Sequence, residues 1–144
     1  MTESRHIVCP ACNTVNRIPA ARMEENPKCG NCGISLFSGH PVDLSGSSFQ
    51  KHISRNDIPV VVDFWASWCG PCKMMAPAYE QACAELEPEV RFAKLNTEDE
   101  SAIAGQFQIR SIPTIMLFRN GQEITRHSGA MPASDIVRWV RENS

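Results

Sequence analysis

The segment Ile58–Lys73 reads Ile-Pro-Val-Val-Val-Asp-Phe-Trp-Ala-Ser-Trp-Cys-Gly-Pro-Cys-Lys. Its first eight residues, 58–65, form a short, β-branched and nearly continuous apolar run, which predicts a buried strand. The residues that follow the two cysteines are rich in Met, Ala, Glu and Gln, which favour a helix over 70–87. Cys69 is therefore expected at a strand-to-helix junction, and Pro71 suits the first helical turn, where no N–H is needed.

The spacing of Cys69 and Cys72 indicates redox chemistry. The two lie one helical turn apart on the same face, so a disulfide can close with little backbone movement. Free N–H groups and the helix dipole favour a thiolate at Cys69. We expect Cys69 to be the exposed nucleophile that attacks a substrate disulfide, and Cys72 to be the buried thiol that resolves the mixed disulfide. The alternative, a third metal knuckle, needs two further ligands.

Asp63 interrupts the apolar strand six residues before Cys69. The two-residue period places it on the same face as Val61 and Trp65. Burial of a carboxylate raises its pKa, and such a group near Cys72 is able to take the proton of the resolving thiol. Lys94, in the next apolar run, is its expected charge partner. The alternative is a strand-edge aspartate that faces water.

The sequence on either side of this segment predicts an α/β fold, because strand and helix patterns alternate. Asn120-Gly121 is a strong hairpin signal and makes the last two strands antiparallel. Pro132 is expected to open the final helix. The other predicted elements are a strand at 42–44, a helix at 47–55, a strand at 90–95, a helix at 99–107, and strands at 114–119 and 122–128.

Four further cysteines form two C-x-x-C pairs near the N-terminus, separated by residues 13–28. This spacing predicts a zinc ribbon in which four thiolates hold one structural Zn²⁺. The alternatives are two disulfides, four free thiols, or iron in place of zinc, and His6 or His40 as substitute ligands. Turn residues at 38–41 separate a predicted metal module, 1–38, from a second domain, 39–144. The predicted ligands are Cys9, Cys12, Cys29 and Cys32.

The segment 62–73 resembles the active-site signature of thioredoxins, and the resemblance continues through Lys94-Leu95-Asn96 and Arg110-Ser111-Ile112-Pro113-Thr114. It covers about residues 40–144. The four-cysteine extension resembles that of the bacterial thioredoxin-2 type. The resemblance implies a thioredoxin fold, a central mixed β-sheet flanked by helices, with a small N-terminal zinc-ribbon module.

Residue roles are implied by the same resemblance. Cys69 matches the family nucleophile, Cys72 the resolving cysteine, and Asp63 the buried acid with Lys94 beside it. Pro113 matches the proline that is cis in the family and faces the disulfide. The positions that match the substrate groove are Trp68, Gly70, Pro71, Ile112 and Gly129.

The implied activity is that of a protein-disulfide reductase, which thioredoxin reductase recharges with electrons from NADPH. No bound organic cofactor is expected, and the zinc module would tune redox properties or partner choice. Two alternatives stand beside this function. One is a zinc-ribbon interaction protein whose redox motif switches binding, and the other is an oxidant or isomerase, since direction depends on redox poise.

Composition excludes other classes. The chain has 144 residues, 42% of them hydrophobic, and a net charge of −2, which is globular and lacks the basic footprint of a nucleic-acid binder. No apolar run approaches the roughly 20 residues of a membrane span. Met1–Val8 lacks the apolar core of a secretory signal, so we expect a cytoplasmic protein. We also expect a monomer. Cys83 is expected to be a small buried hydrophobe, with regulatory oxidation as the alternative. Met74 and Met75 are expected to serve packing, and the alternative is that one of them also contributes to a substrate surface.

Overall fold

The computed structural model describes residues 3–144. A short antiparallel ribbon near the N-terminus precedes a larger sheet with four helices. In chain order the elements are β1 (Ser4–Val8), β2 (Val15–Pro19), a 3₁₀ turn (Ala20–Arg22), β3 (Val42–Asp43), α1 (Phe49–Arg55), β4 (Val60–Trp65), α2 (Gly70–Leu86), β5 (Arg91–Asn96), α3 (Ser101–Gln106), β6 (Thr114–Arg119), β7 (Gln122–Ser128) and α4 (Ala133–Asn143). The predicted strands and helices of the second domain are confirmed to within two residues at their ends, whereas β1 was not predicted.

The larger sheet is mixed, with strand order β3-β5-β4-β6-β7. Strands β3, β5 and β4 run parallel, and β6 and β7 form the predicted antiparallel hairpin. Its turn places both Asn120 (φ 53°) and Gly121 (φ 79°) in the left-handed region, which these two residue types tolerate best. Parallel connections require crossover helices, and those helices cover the sheet on both sides.

Helices α2 and α4 cover one face of the sheet, and α1 and α3 cover the other. On the first face, Tyr79 of α2 and Val140 of α4 pack with Val61 of β4. On the second face, Phe49 of α1 packs in a cluster against which Ile103 of α3 lies. Strand β4 is consequently buried along both faces, which explains its continuous apolar run. Any polar side chain on β4 therefore lies in the protein interior.

The N-terminal module packs against the end of the sheet at which β4 begins. Ile58, just before β4, shares a buried cluster with Ile7 and Leu36 of the module. The amide of Val8 donates to the Asn56 side chain at 2.8 Å, and both groups are buried. The dithiol follows the opposite end of β4, so the module and the dithiol lie at different ends of the same strand.

A buried ion pair joins the module to the sheet. Arg91, at the start of β5, pairs with Glu87 at 3.2 Å, and the two side chains are 1% and 4% exposed. The Arg91 guanidinium also donates to the carbonyl of Val8 at 3.2 Å and lies 4.5 Å from the ring centroid of Phe37. Glu87 in turn accepts from the amide of Gly39 at 2.9 Å. Sequence patterning assigned Arg91 only to an apolar strand and did not identify this contact.

Arg91→Ala is expected to destabilise the protein by about 3 kcal/mol, because it leaves the Glu87 carboxyl buried without its cation. Chemical denaturation of the full chain measures this loss. The matched control is Arg138→Ala, which removes an exposed pair with Asp135 and is expected to cost less than about 1 kcal/mol. Equal losses in the two variants would contradict a structural role for the buried pair.

Candidate functional site

The two cysteines of Cys69-Gly70-Pro71-Cys72 lie at the start of α2. Cys69 is the N-cap residue, and its sulfur accepts a hydrogen bond from the amide of Cys72 at 3.2 Å. A disulfide joins the two residues, whose Cα atoms are 5.3 Å apart. A helix N-terminus presents free amide donors and the positive end of the helix dipole, so this position stabilises a thiolate once the disulfide is reduced.

The expected exposure of Cys69 is wrong for this oxidised state. Cys69 is only 4% exposed, because it packs with Ala66 and Ile112 and bonds to Cys72. Cys72 is almost equally buried, at 3% exposure. The two residues differ in position, because Cys69 lines a surface groove and Cys72 is not among its lining residues.

The groove has a volume of about 460 Å³. Four of the five predicted groove residues line it, and Trp68 is 69% exposed. Gly129 does not line it, although its amide donates to the carbonyl of Pro113 at 2.9 Å. The Cys69 sulfur lies 3.7 Å from the carbonyl oxygen of Ile112, and the Ile112–Pro113 peptide bond is cis. Sequence reasoning missed further lining residues: Thr97, Ala104, Ile109, Arg110 and Ser111.

Asp63 is buried within the sheet, with 1% exposure, and its Oδ1 has no hydrogen-bond partner among the described residues. The alternative of a strand-edge aspartate that faces water is therefore wrong. Burial raises the pKa of Asp63 to about 7, and the positive charge of Lys94 opposes this shift. Lys94 is the register partner of Asp63 on β5, and its ammonium lies 4.6 Å from the ring centroid of Trp65. Asp63 is thus able to gain or lose a proton near neutral pH.

The four N-terminal cysteines converge at one point, with all sulfurs within 4.8 Å of one another. The Cys9–Cys32 and Cys12–Cys29 sulfur pairs are each 3.6 Å apart. Tetrahedral zinc with Zn–S bonds of about 2.3 Å would separate its sulfurs by about 3.8 Å, so the observed spacing fits a metal. It is too long for disulfide bonds, which are about 2.05 Å.

Hydrogen bonds favour the thiolate form of two of these cysteines, Cys12 and Cys29, whose pKa values are lowered. The pKa of Cys32 is raised, because a backbone hydrogen bond at Ile34 is outweighed by burial and by the neighbouring cysteine sulfurs. The buried side chain of Asn16 donates to the Cys29 sulfur at 3.5 Å and accepts from the amide of Gly30 at 2.8 Å. The Thr14 side chain, followed by that of Asn31, lowers the pKa of Cys12 to about 5. Thiolates are the metal-binding form of cysteine. The donor set therefore fits a four-cysteine metal site.

Neither histidine considered as a substitute ligand belongs to the four-cysteine cluster. The ring of His6 contacts Asp57 at 2.9 Å, and that of His40 contacts Glu80 at 3.1 Å. Both histidines instead link the N-terminal region to the rest of the chain.

Cys83, Met75 and Met74, the three remaining residues singled out in the sequence, differ in how deeply they are buried. Cys83 is fully buried in the cluster between α2, α4 and the sheet, as expected of a small hydrophobe. Met75 is also buried, which agrees with a packing role. The same expectation is wrong for Met74, which is 79% exposed.

Comparison with known protein families gives two matches. A family model described as Thioredoxin matches residues 40–142, and one described as Thioredoxin 2, N-terminal, matches residues 8–34. No helix within residues 3–144 is long and apolar enough to cross a bilayer.

Individual relatives agree with these matches. The chain is 41% identical over 134 residues to Thioredoxin C-3 of Corynebacterium nephridii. The aligned region covers 93% of this chain and 92% of that protein. The chain is also 40% identical over 101 residues to a thioredoxin of Rickettsia felis, over 70% of this chain and 96% of that protein. The crystal structure of Malassezia sympodialis thioredoxin superimposes with a TM-score of 0.65 at 35% identity, over 70% of this chain and 88% of that chain.

Proposed function

This chain belongs to the thioredoxin family, and we propose that it reduces protein disulfides through Cys69 and Cys72 and is recharged by thioredoxin reductase with NADPH. Membership makes it a thiol–disulfide oxidoreductase with the thioredoxin fold. The observation that supports the proposed roles is the position of Cys69. It lies at the N-terminus of α2 and lines the groove, and it follows the strand that carries the buried acid Asp63.

The reaction begins with the reduced dithiol. The Cys69 thiolate attacks one sulfur of a substrate disulfide, forms a mixed disulfide, and releases the other substrate sulfur as a thiolate. The Asp63 carboxylate accepts the proton of Cys72, whose thiolate then attacks the Cys69 sulfur. The second substrate sulfur leaves, the substrate is fully reduced, and the Cys69–Cys72 disulfide remains. The two electrons that the substrate gained are restored by the reductase.

Asp63 suits this exchange because its pKa of about 7 lies close to neutral pH. A group with such a pKa is partly ionised and partly protonated, so it is able to accept a proton and later return it. Lys94 acts on the same group by favouring its ionised form. The exposed indole of Trp68 and the backbone around Ile112 and Pro113 supply the surface on which a substrate segment would lie.

An insulin-reduction assay tests this function. With NADPH and thioredoxin reductase, the protein is expected to consume NADPH at a rate that depends on its own concentration. A parallel assay with dithiothreitol separates substrate reduction from recognition by the reductase. Activity with dithiothreitol alone would contradict the proposed reductase partner. Activity in neither assay would favour the interaction protein.

We further propose that Cys9, Cys12, Cys29 and Cys32 hold one structural Zn²⁺. The match of the ribbon family and the spacing of the four sulfurs support metal binding, and zinc is the usual metal of closed four-thiolate sites. Contacts of the module with Arg91, through the carbonyl of Val8 and the ring of Phe37, support a role in tuning the redox domain. Within residues 3–144, five of the seven cysteines form no disulfide, which fits a reducing compartment such as the cytoplasm.

Protein purified under reducing conditions is expected to contain one zinc per chain. Cys29→Ser is expected to lose that zinc, because serine replaces one of four thiolate ligands. Elemental analysis measures the metal content, and Cys83→Ser is the matched control that keeps it. Iron in place of zinc, or an unchanged zinc content in Cys29→Ser, would contradict the proposed site.

A further inference from the structure

Tyr79 carries a hydroxyl that is buried in the core. It lies two helical turns after Cys72 on α2 and is fully buried. Its ring packs against Phe92 with centroids 5.0 Å apart. The hydroxyl lies 2.7 Å from the carbonyl oxygen of Ala93 and 3.1 Å from that of Val61. These two carbonyls belong to neighbouring strands, β5 and β4.

The two carbonyls stand next to the residues assigned to proton transfer. Val61 is two residues before Asp63 on the same face of β4, and Ala93 directly precedes Lys94 on β5. The strand register pairs Asp63 with Lys94. The Tyr79 hydroxyl therefore attaches α2 to the two strands immediately before this pair.

The same face of α2 carries the resolving thiol. Cys72, Met75 and Tyr79 are spaced at i, i+3 and i+7, and all three are buried. Side chains at this spacing share one side of a helix. A contact that fixes Tyr79 against β4 and β5 consequently also limits how far the first turns of α2 shift along or away from those strands.

Apolar packing does not require the hydroxyl. A phenylalanine would fill nearly the same volume, whereas a buried hydroxyl must find a partner or cost free energy. A single O–H group donates to one carbonyl oxygen or is shared between two. Both acceptors here lie on the strands that carry Asp63 and Lys94. The bond therefore adds a directional link between α2 and these strands to the apolar packing around it.

We propose that Tyr79 is a positioning residue for the resolving step: its hydroxyl bridges β4 and β5 and fixes α2, which carries Cys72, relative to the strand that carries Asp63. This inference rests on the proposed function. Transfer of the Cys72 proton to the Asp63 carboxylate requires the two groups within hydrogen-bond reach, directly or through one water. Attack by Cys69 involves no proton transfer to Asp63, so it does not depend on how α2 is placed relative to that carboxyl.

Tyr79→Phe keeps the ring and removes only the hydroxyl. Single-turnover kinetics with a saturating peptide disulfide measure resolution, and the same change in a Cys72→Ser background measures attack by Cys69 alone. We expect resolution to slow by about tenfold, since small misplacements of reacting groups have large kinetic effects, while attack changes by less than about twofold. An unchanged resolution rate would overturn the inference.

A double-mutant cycle separates positioning from general loosening of the core. If Tyr79 acts through Asp63, Tyr79→Phe has no further effect on resolution in an Asp63→Asn background. An equal additional loss in that background would overturn the inference. The matched control is Val140→Ala, which removes packing from the same buried cluster and is expected to lower stability without slowing resolution. A comparable slowing in this control would also overturn it.

The reductase function and the role of Tyr79 would be contradicted by different results. If the unmodified protein forms a mixed disulfide but does not resolve it, the proposed reductase function fails, and the role of Tyr79 falls with it. If the unmodified protein resolves normally and Tyr79→Phe resolves equally well, only the role of Tyr79 is lost.

Discussion

Cys69→Ser is expected to abolish disulfide reduction, leaving only the uncatalysed background, and to keep the proposed zinc. The proposed first step needs a sulfur nucleophile at the helix N-terminus, and a serine hydroxyl is not ionised there at neutral pH. The insulin assay measures activity, and elemental analysis on the same sample measures metal. Cys83→Ser, at a buried cysteine away from the groove, is the matched control that is expected to keep both. Retained activity in Cys69→Ser would contradict the proposed nucleophile.

Cys72→Ser is expected to give a different outcome from Cys69→Ser. Attack by Cys69 still occurs, but the thiol that resolves the mixed disulfide is missing. A covalent adduct with a peptide disulfide should therefore accumulate and be visible as an added mass by mass spectrometry under non-reducing conditions. If the Cys69 variant trapped substrate while the Cys72 variant did not, the two assignments would be reversed.

Asp63→Asn is expected to raise stability near neutral pH. The unfolded carboxyl has a pKa of about 3.9, whereas burial raises the folded pKa to about 7. Between these values the folded state binds more protons than the unfolded state, so stability falls as pH rises through the interval. The loss of folding stability caused by ionising the buried carboxyl is complete above the folded pKa and amounts to about 4 kcal/mol. Because the asparagine amide must also be buried, we expect a net gain of about 2–4 kcal/mol at pH 8.

Denaturant unfolding at pH 8 and pH 4 tests this prediction. The gain should be large at pH 8 and nearly absent at pH 4, where the wild-type carboxyl is protonated when folded. Asp43→Asn is the matched control: Asp43 also pairs in register with Lys94, but from the exposed side of β3. The control is expected to change stability by less than about 0.5 kcal/mol.

The same Asp63→Asn variant is expected to resolve the mixed disulfide more slowly. Cys72 loses its proton acceptor, and general base assistance is worth about 10²–10⁴-fold at most. Water substitutes as a poorer acceptor, so reduction is slowed rather than abolished. Higher stability combined with slower resolution is an outcome that a surface aspartate does not produce. Unchanged stability together with an unchanged rate would remove Asp63 from the mechanism.

Patterns along the chain were sufficient to predict an α/β domain, the dithiol and the four-cysteine cluster, whereas the thioredoxin fold was implied by the family resemblance. A buried strand, two cysteines one helical turn apart and the start of a helix are all defined within residues 58–87. The Cys9–Cys12 and Cys29–Cys32 pairs are likewise defined by short turns. Such features depend on backbone geometry over a few residues, which a linear sequence records directly.

Contacts between distant segments were decided only by the tertiary structure. The alternation of side chains along β4 assigned Asp63 to one face of the sheet. Only the packing of α2 and α4 on that face determined that Asp63 is buried. The loop around Ile109 and Arg110 reaches Cys69 through sheet topology, and the Arg91–Glu87 pair is buried because the N-terminal module lies over it. The Tyr79 hydroxyl finds its acceptors in the same way. Burial, charge pairing and access depend on which elements pack together, and residues far apart in sequence determine that packing.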